Sequence, residues 1–372
     1  MKRERSYKPR EEEKKETQSQ RISRIFISII TTLCAAMLAL TAVSAYIEPT
    51  QGTLLPVLAL IAPALYVANF ILMLYWVIRW RWRMASVPLV VLLLTLVFVP
   101  LYIKTPLTKD YNTKSYRSMP KMMSYNVRAF LDTRGRCTAQ QVASFIETER
   151  SDIIAIQEYN ESFDPISKEY APSLAKYNRV RHNGLVVLSR YPIVGSEALF
   201  EGDEMLSTSS LRVDLLISGD TVRLFNNHLL STTIKADDNN YLTSSKMVRD
   251  SARHSVIRDI FARYRNSCIE RARQANAIAE EVERSPYPTI VCGDFNDPPA
   301  SYTYTRMSRG LRDAFRRYGS DYSYTYQGFF NTLRIDYILT SKRISPESYR
   351  VAKEITVSDH LPVIAHLKIE KE

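Results

Sequence analysis

Six short stretches of the chain place carboxylates, carboxamides and imidazoles directly after apolar runs. They are Asn126, Gln157-Glu158, Asn227-His228, Gly293-Asp294-Phe295-Asn296-Asp297, Arg334-Ile335-Asp336, and Ser358-Asp359-His360-Leu361-Pro362. Carboxylates can hold a hard cation or accept a proton, imidazoles exchange protons near neutrality, and carboxamides donate to charged oxygens. Each stretch alone has a plainer explanation. An Asn or Asp after a strand is commonly a turn former, Glu158 could be a solvated strand end, and His228 and His360 could be satisfied structural histidines. All six at the ends of strand-like runs are better explained by one cleft, because a rigid scaffold can aim strand-end side chains at a common point.

The elements that would position these groups follow from apolar spacing. Lys121–Val127, Ile153–Gln157, Leu185–Ser189, Leu211–Ile217, Val222–His228, Thr289–Asp294, Ile335–Leu339 and Val363–Leu367 show two-residue alternation or compact apolar runs bounded by turn residues. Helices are predicted at Ala139–Thr148 and about Lys246–Glu283, the second with Ile257, Ile260, Phe261 and Tyr264 at helical spacing. Many strands with few intervening helices predict an α+β sandwich of sheets rather than a doubly wound parallel sheet.

The first third of the chain is of a different kind. Three apolar runs, about Ile25–Ile47, Leu54–Ile78 and Ser86–Ile103, each approach the ~20 residues a helix needs to cross the hydrocarbon core. The first is too long for the apolar part of a cleaved signal peptide, and two more follow it. No ionisable side chain sits mid-run, so the segment reads as an anchor and not a transport path. Residues 1–24 carry nine Lys/Arg, the stretch 48–53 carries none, and the next loop reads Arg79-Trp80-Arg81-Trp82-Arg83. That bias predicts a cytoplasmic N-terminus and, after three crossings, an exported or periplasmic C-terminal domain on an inner-membrane protein. The lysines and arginines from Lys104 to Lys121 argue the other way. The expected organisation is therefore a basic tail over 1–24, three transmembrane helices over 25–103, a linker over 104–119 and a catalytic domain over 120–372.

Of the formal net charge of +11, residues 1–24 account for +4, residues 25–103 for +2 and the remainder for +5. The C-terminal region is only mildly basic, which permits nucleic acid as a partner without requiring it. The four cysteines, Cys34, Cys137, Cys268 and Cys292, have no C-x-x-C spacing. That excludes an ordinary zinc site or dense disulfide framework, and leaves room for one disulfide among the last three.

The order of the six stretches, and above all Gly293-Asp294-Phe295-Asn296 and Ser358-Asp359-His360-Leu361-Pro362, closely resembles the endonuclease/exonuclease/phosphatase superfamily. Pancreatic-type deoxyribonuclease, exonuclease III-type repair enzymes, inositol-polyphosphate 5-phosphatases and neutral sphingomyelinases share that fold. The resemblance covers about residues 120–369. It implies a four-layer α/β sandwich, DNase I-like, with the site at one edge of two packed sheets. It further implies that Glu158, with Asn126 and Asp359, holds Mg²⁺ or Mn²⁺. His360 would sit beside the phosphorus, oriented by Asp336, and Asp294 would deprotonate the attacking water. Asn296 and His228 would donate to the phosphate oxygens.

Departures from the pattern bear on substrate. Exonuclease III-type enzymes usually carry Lys where this chain has Asn160 and an acidic residue where it has Arg128, which speaks against specialised abasic-site repair. No acid precedes Leu185 to orient His228; His182-Asn183-Gly184 stands there. His254 reads as helix surface and His366 as strand filling. The expected function is a membrane-anchored, metal-dependent phosphoesterase, with a nuclease-type phosphodiesterase favoured by the complete site and mild positive charge. The alternative is a phospholipid or inositol-phosphate hydrolase, suggested by the tether and by aromatic residues over Tyr318–Phe330. The substrate is thus a phosphate ester of nucleic acid, lipid head group or small molecule. The membrane partner is a bilayer crossed by three helices, and no protein partner is predicted. A catalytically dead binding protein would have lost one of Glu158, Asp294, Asp336 or His360, and all four are present. Substrate choice is expected to lie in Thr232–Arg271.

Overall fold

The computed structural model describes residues 17–52, 54–105, 116, 118–203, 206, 210–232, 253–328 and 331–370. Its helices are α1 (Gln18–Ser44), α2 (Leu55–Leu60), α3 (Ala62–Ile78), α4 (Trp82–Leu94), α5 (Ala139–Glu149), α6 (Phe163–Tyr170), α7 (Arg253–Glu283), α8 (Tyr302–Met307) and α9 (Ala314–Tyr318). Its strands are β1 (Ile103–Lys104), β2 (Lys121–Asn126), β3 (Ile153–Gln157), β4 (Asn178–His182), β5 (Leu185–Ser189), β6 (Ile193–Ala198) and β7 (Ser210–Ile217). They continue as β8 (Asp220–His228), β9 (Thr289–Asp294), β10 (Arg312–Asp313), β11 (Asp321–Tyr322), β12 (Asp336–Thr340), β13 (Ile344–Val351) and β14 (Val363–Ile369).

Two six-stranded sheets form the C-terminal region, in the orders β10-β12-β9-β8-β7-β6 and β13-β14-β2-β3-β5-β4. The central strands β3, β5 and β9 are buried along their whole length. Their near-continuous apolar sequence is what a strand covered on both faces requires. Between the sheets, Met122, Ile153 and Val187 of one meet Val213, Leu224 and Ile290 of the other. The outer face of the β2–β3 sheet is covered by α5 and α6 through Val142, Ile146 and Phe163. The outer face of the β8–β9 sheet is covered by α7 and α8 through Ala275, Ile278 and Tyr304. The architecture is a DNase I-like α/β sandwich. Each sheet holds one parallel pair, β2 with β3 and β8 with β9. Parallel neighbours need a crossover, and the helices α5 and α7 lie in those connections.

In the N-terminal region α1 packs against α2, α3 and α4. This bundle turns its polar groups inward: Trp76 Nε1 donates to Thr31 Oγ1 at 2.8 Å, and the fully buried Asn69 donates to the Cys34 carbonyl at 3.0 Å. Its outer surface carries Phe26, Leu33, Phe70 and Ile71, each more than half exposed.

Three full-length crossings are not what forms. Among the described residues only α1, with 27 residues, is long and apolar enough to cross a membrane. The second run is broken at Ile61 into α2 and α3, each with proline in its first turn. The third gives a 13-residue α4 containing Pro88 and a 3₁₀ turn containing Pro100. Proline removes a helical donor and clashes with the preceding turn, so apolar runs of spanning length fold as shorter helices.

The expected linker is also different at its start. Ile103–Lys104 forms β1 and pairs with β11, while residues 106–115 and 117 lie outside the described set. The helices join the sandwich directly: Ala59, Ala62, Leu101 and Tyr102 belong to the same apolar cluster as Phe225 and Tyr337. Ser44 Oγ donates to the Ala300 carbonyl at 3.1 Å, and Arg334 donates to the Leu101 carbonyl at 3.2 Å. All four cysteines are unpaired, so the single disulfide the sequence allowed does not form.

Candidate active site

The two parallel pairs end at one edge of the sandwich, and strand register sets what meets there. Asn126 lies opposite Gln157 at the ends of β2 and β3, with Glu158 immediately after. In the other sheet His228 aligns with Asp294, and Asp294 with Asp336. The loop before β14 brings Asp359 and His360. Carboxyl ends of parallel strands are where α/β proteins build clefts.

Local backbone explains the motif sequences. A Cβ on Gly293, which has φ +121°, would stand 1.9 Å from the Asn227 carbonyl oxygen, so only glycine lets β8 and β9 approach here. Glu158 and Asn296 both adopt left-handed backbone (φ 53° each). Positive φ at non-glycine residues is uncommon and gathers at functional sites. The Asn296 backbone N–H closes the turn onto Asp294 Oδ1 at 2.8 Å.

The sheets are joined across the site by side chains. Asn126 Nδ2 donates to Glu158 Oε1 and to Asp294 Oδ2, both at 3.0 Å. Beneath it, the fully buried Gln157 donates to Asn226 Oδ1 of the facing sheet at 2.7 Å. His360 Nδ1 lies 3.0 Å from Asp336 Oδ2, which leaves Nε2 facing Asp294 Oδ2 at 3.6 Å. Thr325 Oγ1 accepts from the Asp336 backbone N–H, and Tyr326 packs edge-on to the His360 ring. Burial, which alone would lower the pKa of His360, is outweighed by Asp336 and then Asp294, and the ring is raised to about 10. Burial raises Asp336 to about 6 against the opposing pull of His360. We read the pair as an imidazolium held by a carboxylate, because two acids flank the ring.

All eight residues singled out from the sequence are at this edge: Asn126, Glu158, His228, Asp294, Asn296, Asp336, Asp359 and His360. Four are engaged differently from the expectation. Asn126, expected beside the metal, has its Nδ2 on Glu158 and Asp294 and its Oδ1 accepting from the Arg128 backbone N–H at 3.0 Å. Asn296 Nδ2 donates to the Leu229 carbonyl at 2.9 Å and to Asp294 Oδ2 at 3.1 Å, so both amide protons hold the loop and the acid. Asp359 Oδ2 pairs with Arg128 Nε at 3.2 Å. His228, for which no orienting acid was evident, has Nε2 at 3.5 Å from Glu158 Oε1. That nitrogen is buried without a hydrogen-bond partner, an arrangement that calls for a ligand. His366, read as strand filling, bonds Ser348 Oγ at 2.7 Å away from the site. The His254 side chain, Phe329, Phe330 and residues 233–252 of the expected specificity segment lie outside the described set.

The donor set fits a divalent cation. The carboxylate oxygens of Glu158 and Asp359 are the hard kind such ions prefer, whereas the Asn126 carboxamide turns its Nδ2 to Glu158 and Asp294 and its Oδ1 to the Arg128 backbone N–H. A second grouping, Asp294, Asp336 and His360, has ligand atoms within 4.8 Å of one another.

Sequence reasoning did not find Arg128, Thr325, Gln327, which donates to the Ser358 and Asp359 carbonyls, or Leu60, which lines the cleft, as parts of the site. Arg128 alone left a signal, standing where an acid was expected. Thr325 and Gln327 act through backbone bonds, and Leu60 lies in an apolar run.

Fold and site together define a phosphoester hydrolase that works with a metal ion. A profile of the Endonuclease/Exonuclease/phosphatase family matches residues 123–360, and the chain belongs to that family. Residues 23–102 match a second profile, Domain of unknown function (DUF8431). No curated protein matches the sequence. Among solved structures, an endonuclease/exonuclease/phosphatase from Bacteroides vulgatus is similar at 16% identity and TM-score 0.49, covering 68% of this chain and 100% of that one. One from Beutenbergia cavernae DSM 12333 is 18% identical with TM-score 0.48, covering 68% of this chain and 72% of its own. A mannosyl-6-phosphatase from Bacteroides thetaiotaomicron VPI-5482 is 20% identical with TM-score 0.46, covering 67% and 99%.

Proposed function

We propose that the chain is a membrane-anchored, Mg²⁺-dependent phosphoesterase that hydrolyses its substrate by direct attack of water. The observation that carries this reading is the alignment of His228, Asp294 and Asp336 across three neighbouring strands, with His360 bonded to Asp336. Asp294 accepts the proton of the attacking water, since its Oδ2 faces the cleft and is steadied by two carboxamides. The water oxygen bonds to phosphorus as the ester P–O bond breaks. His360 Nε2–H, at the cleft wall, would donate to the phosphate oxygens, where charge accumulates, and His228 Nε2 stands behind it, 3.5 Å from Glu158 and 3.8 Å from Asp294. A cation held by Glu158 and Asp359 would neutralise charge on the phosphate and the leaving oxygen. Any cation at Asp359 shares the carboxylate with Arg128 or displaces it.

The anchor reading is supported by α1 and by the bundle's outward apolar surface. Ser19, Arg24, Arg79 and Arg81 gather at the end of the bundle away from the sandwich. That supports a cytoplasmic N-terminus and an exported catalytic domain.

The test uses the full chain in detergent, because the sandwich shares its core with the helices. Hydrolysis of bis-p-nitrophenyl phosphate should require Mg²⁺, stop with EDTA and return when the ion is restored. His360→Ala should lower it by about 10²–10⁴-fold. Turnover that survives both EDTA and His360→Ala would overturn the reading.

A further inference from the structure

The catalytic cleft, about 260 Å³ in volume, has two unlike walls. One is the polar set described above with Arg128 at its rim, continuing into a groove lined by Arg134, Arg136 and Gln327, where Asp132 pairs with Arg136 at 2.7 Å. The other is apolar and consists of Leu60, Tyr264, Pro298 and Leu333. The last three belong to the sandwich. Leu60 is the last residue of α2 and comes from the N-terminal helices.

Leu60 is held in place from both sides. Ala59 and Ala62 are buried in the cluster that contains Phe225 and Phe295. The Tyr264 hydroxyl lies 3.5 Å from the Pro56 carbonyl and 3.4 Å from Asp297 Oδ1, so α2 reaches the Gly293–Asp297 stretch through one side chain. The fully buried Arg271 binds the same Asp297 oxygen at 3.2 Å and holds the Leu230 carbonyl at 3.0 Å. A helix used only for tethering has no need of these contacts.

The bundle that contains α2 presents apolar side chains outward, Phe26 on α1, Ile71 on α3 and Leu54 at the start of α2, all more than half exposed. The apolar wall of the cleft is thus partly contributed by a helix of a bundle whose outer surface is apolar, and the groove bearing Arg134 and Arg136 continues from the polar wall. A molecule matching both walls has a phosphate-ester head and an apolar chain. A nucleic-acid strand would set charged phosphate against Leu60 and lose solvation there without a partner.

We propose that α2 completes the active site and that the substrate is an amphiphilic phosphate ester drawn from a lipid surface, its apolar chain lying against Leu60. This rests on the phosphoesterase reading above and assigns its substrate class.

The test compares p-nitrophenyl dodecyl phosphate with p-nitrophenyl methyl phosphate, which share a leaving group and differ only in the chain. Both are presented to the full-length protein in the same mixed micelles with Mg²⁺, alongside single-stranded DNA. The dodecyl ester should show a kcat/KM about tenfold or more above the methyl ester, the discrimination a few buried methylenes provide. Leu60→Asp should collapse that ratio mainly through KM, Leu60→Ala should lower it partway, and Leu60→Met should keep it. If Leu60→Asp does not fold, the Ala and Met pair carries the test. A ratio near one, or equal losses on both esters in the Leu60 variants, would overturn the proposal while leaving the phosphoesterase reading intact. DNA cleaved in preference to both esters would overturn it in favour of a nuclease. No hydrolysis of either ester or of DNA would overturn this proposal, and the bis-p-nitrophenyl phosphate assay above would then decide the phosphoesterase reading.

Discussion

The helical bundle and the sandwich are both rich in apolar residues, yet they arrange them in opposite senses. In the sandwich Ile154, Val187 and Leu224 are wholly buried, and polar side chains collect at the strand ends. In the bundle Asn69 and Thr31 are buried, while Ile22, Phe26 and Leu33 stand exposed. The fully buried carboxamides make the contrast concrete: Asn226 bridges two sheets, whereas Asn69 caps a carbonyl of a neighbouring helix. Water drives the first arrangement, because removing apolar area from it is favourable. The second makes sense where the surroundings are themselves apolar and packing and hydrogen bonds hold helices together. Apolar content alone does not tell the regions apart; its direction does.

The comparison can be broken most sharply in the sandwich. Asp336→Asn should leave the fold intact and lower turnover by about 10²–10⁴-fold, since it deprives His360 Nδ1 of its anionic partner. Near-normal turnover would remove the assigned pair. At the seam, Arg334→Ala should cost about 3–5 kcal/mol in denaturant unfolding, because it leaves Asp313 buried without its partner at 2.9 Å. A loss below about 1 kcal/mol would mean that the seam is not an energetic unit. Asn226→Leu should cost about 1–3 kcal/mol, as Gln157 loses the acceptor it holds at 2.7 Å. Asn69→Leu, assayed in detergent, should cost only about 0.6 kcal/mol, the usual worth of a hydrogen bond between helices in apolar surroundings. A penalty at Asn69 larger than at Asn226 would invert the contrast between the regions.

Much of the sandwich was legible because its central strands are doubly covered. Ile153–Gln157, Leu185–Ser189 and Thr289–Asp294 form with the bounds their apolar runs suggest. The strands that escaped are edges or fragments. Asn178–His182 is polar and half exposed, Ile193–Ala198 has one covered face, and Ile344–Val351 contains Pro346, which an edge strand tolerates. The site was legible where chemistry requires a residue type, as at Asp294, Asp336 and His360. It was not legible where position alone matters. Nothing in the sequence says that Leu60 faces a cleft, or that both amide protons of Asn296 are engaged by Leu229 and Asp294. The helical region was misjudged in length, because hydropathy counts residues and overlooks the prolines that break them.

The short pairing of β1 with β11 has a practical consequence for protein engineering. The chain leaves the helices as a strand already hydrogen-bonded into the sandwich, a junction that resists twisting, so the two regions cannot swivel as beads on a string. A chimera in which these helices are exchanged for a generic single-pass segment or a solubilising fusion partner would keep every motif of the sandwich. It would nevertheless have lost the strand junction, Leu60 and part of the outer core. Kinetics measured on such a chimera would describe a different enzyme from the intact chain.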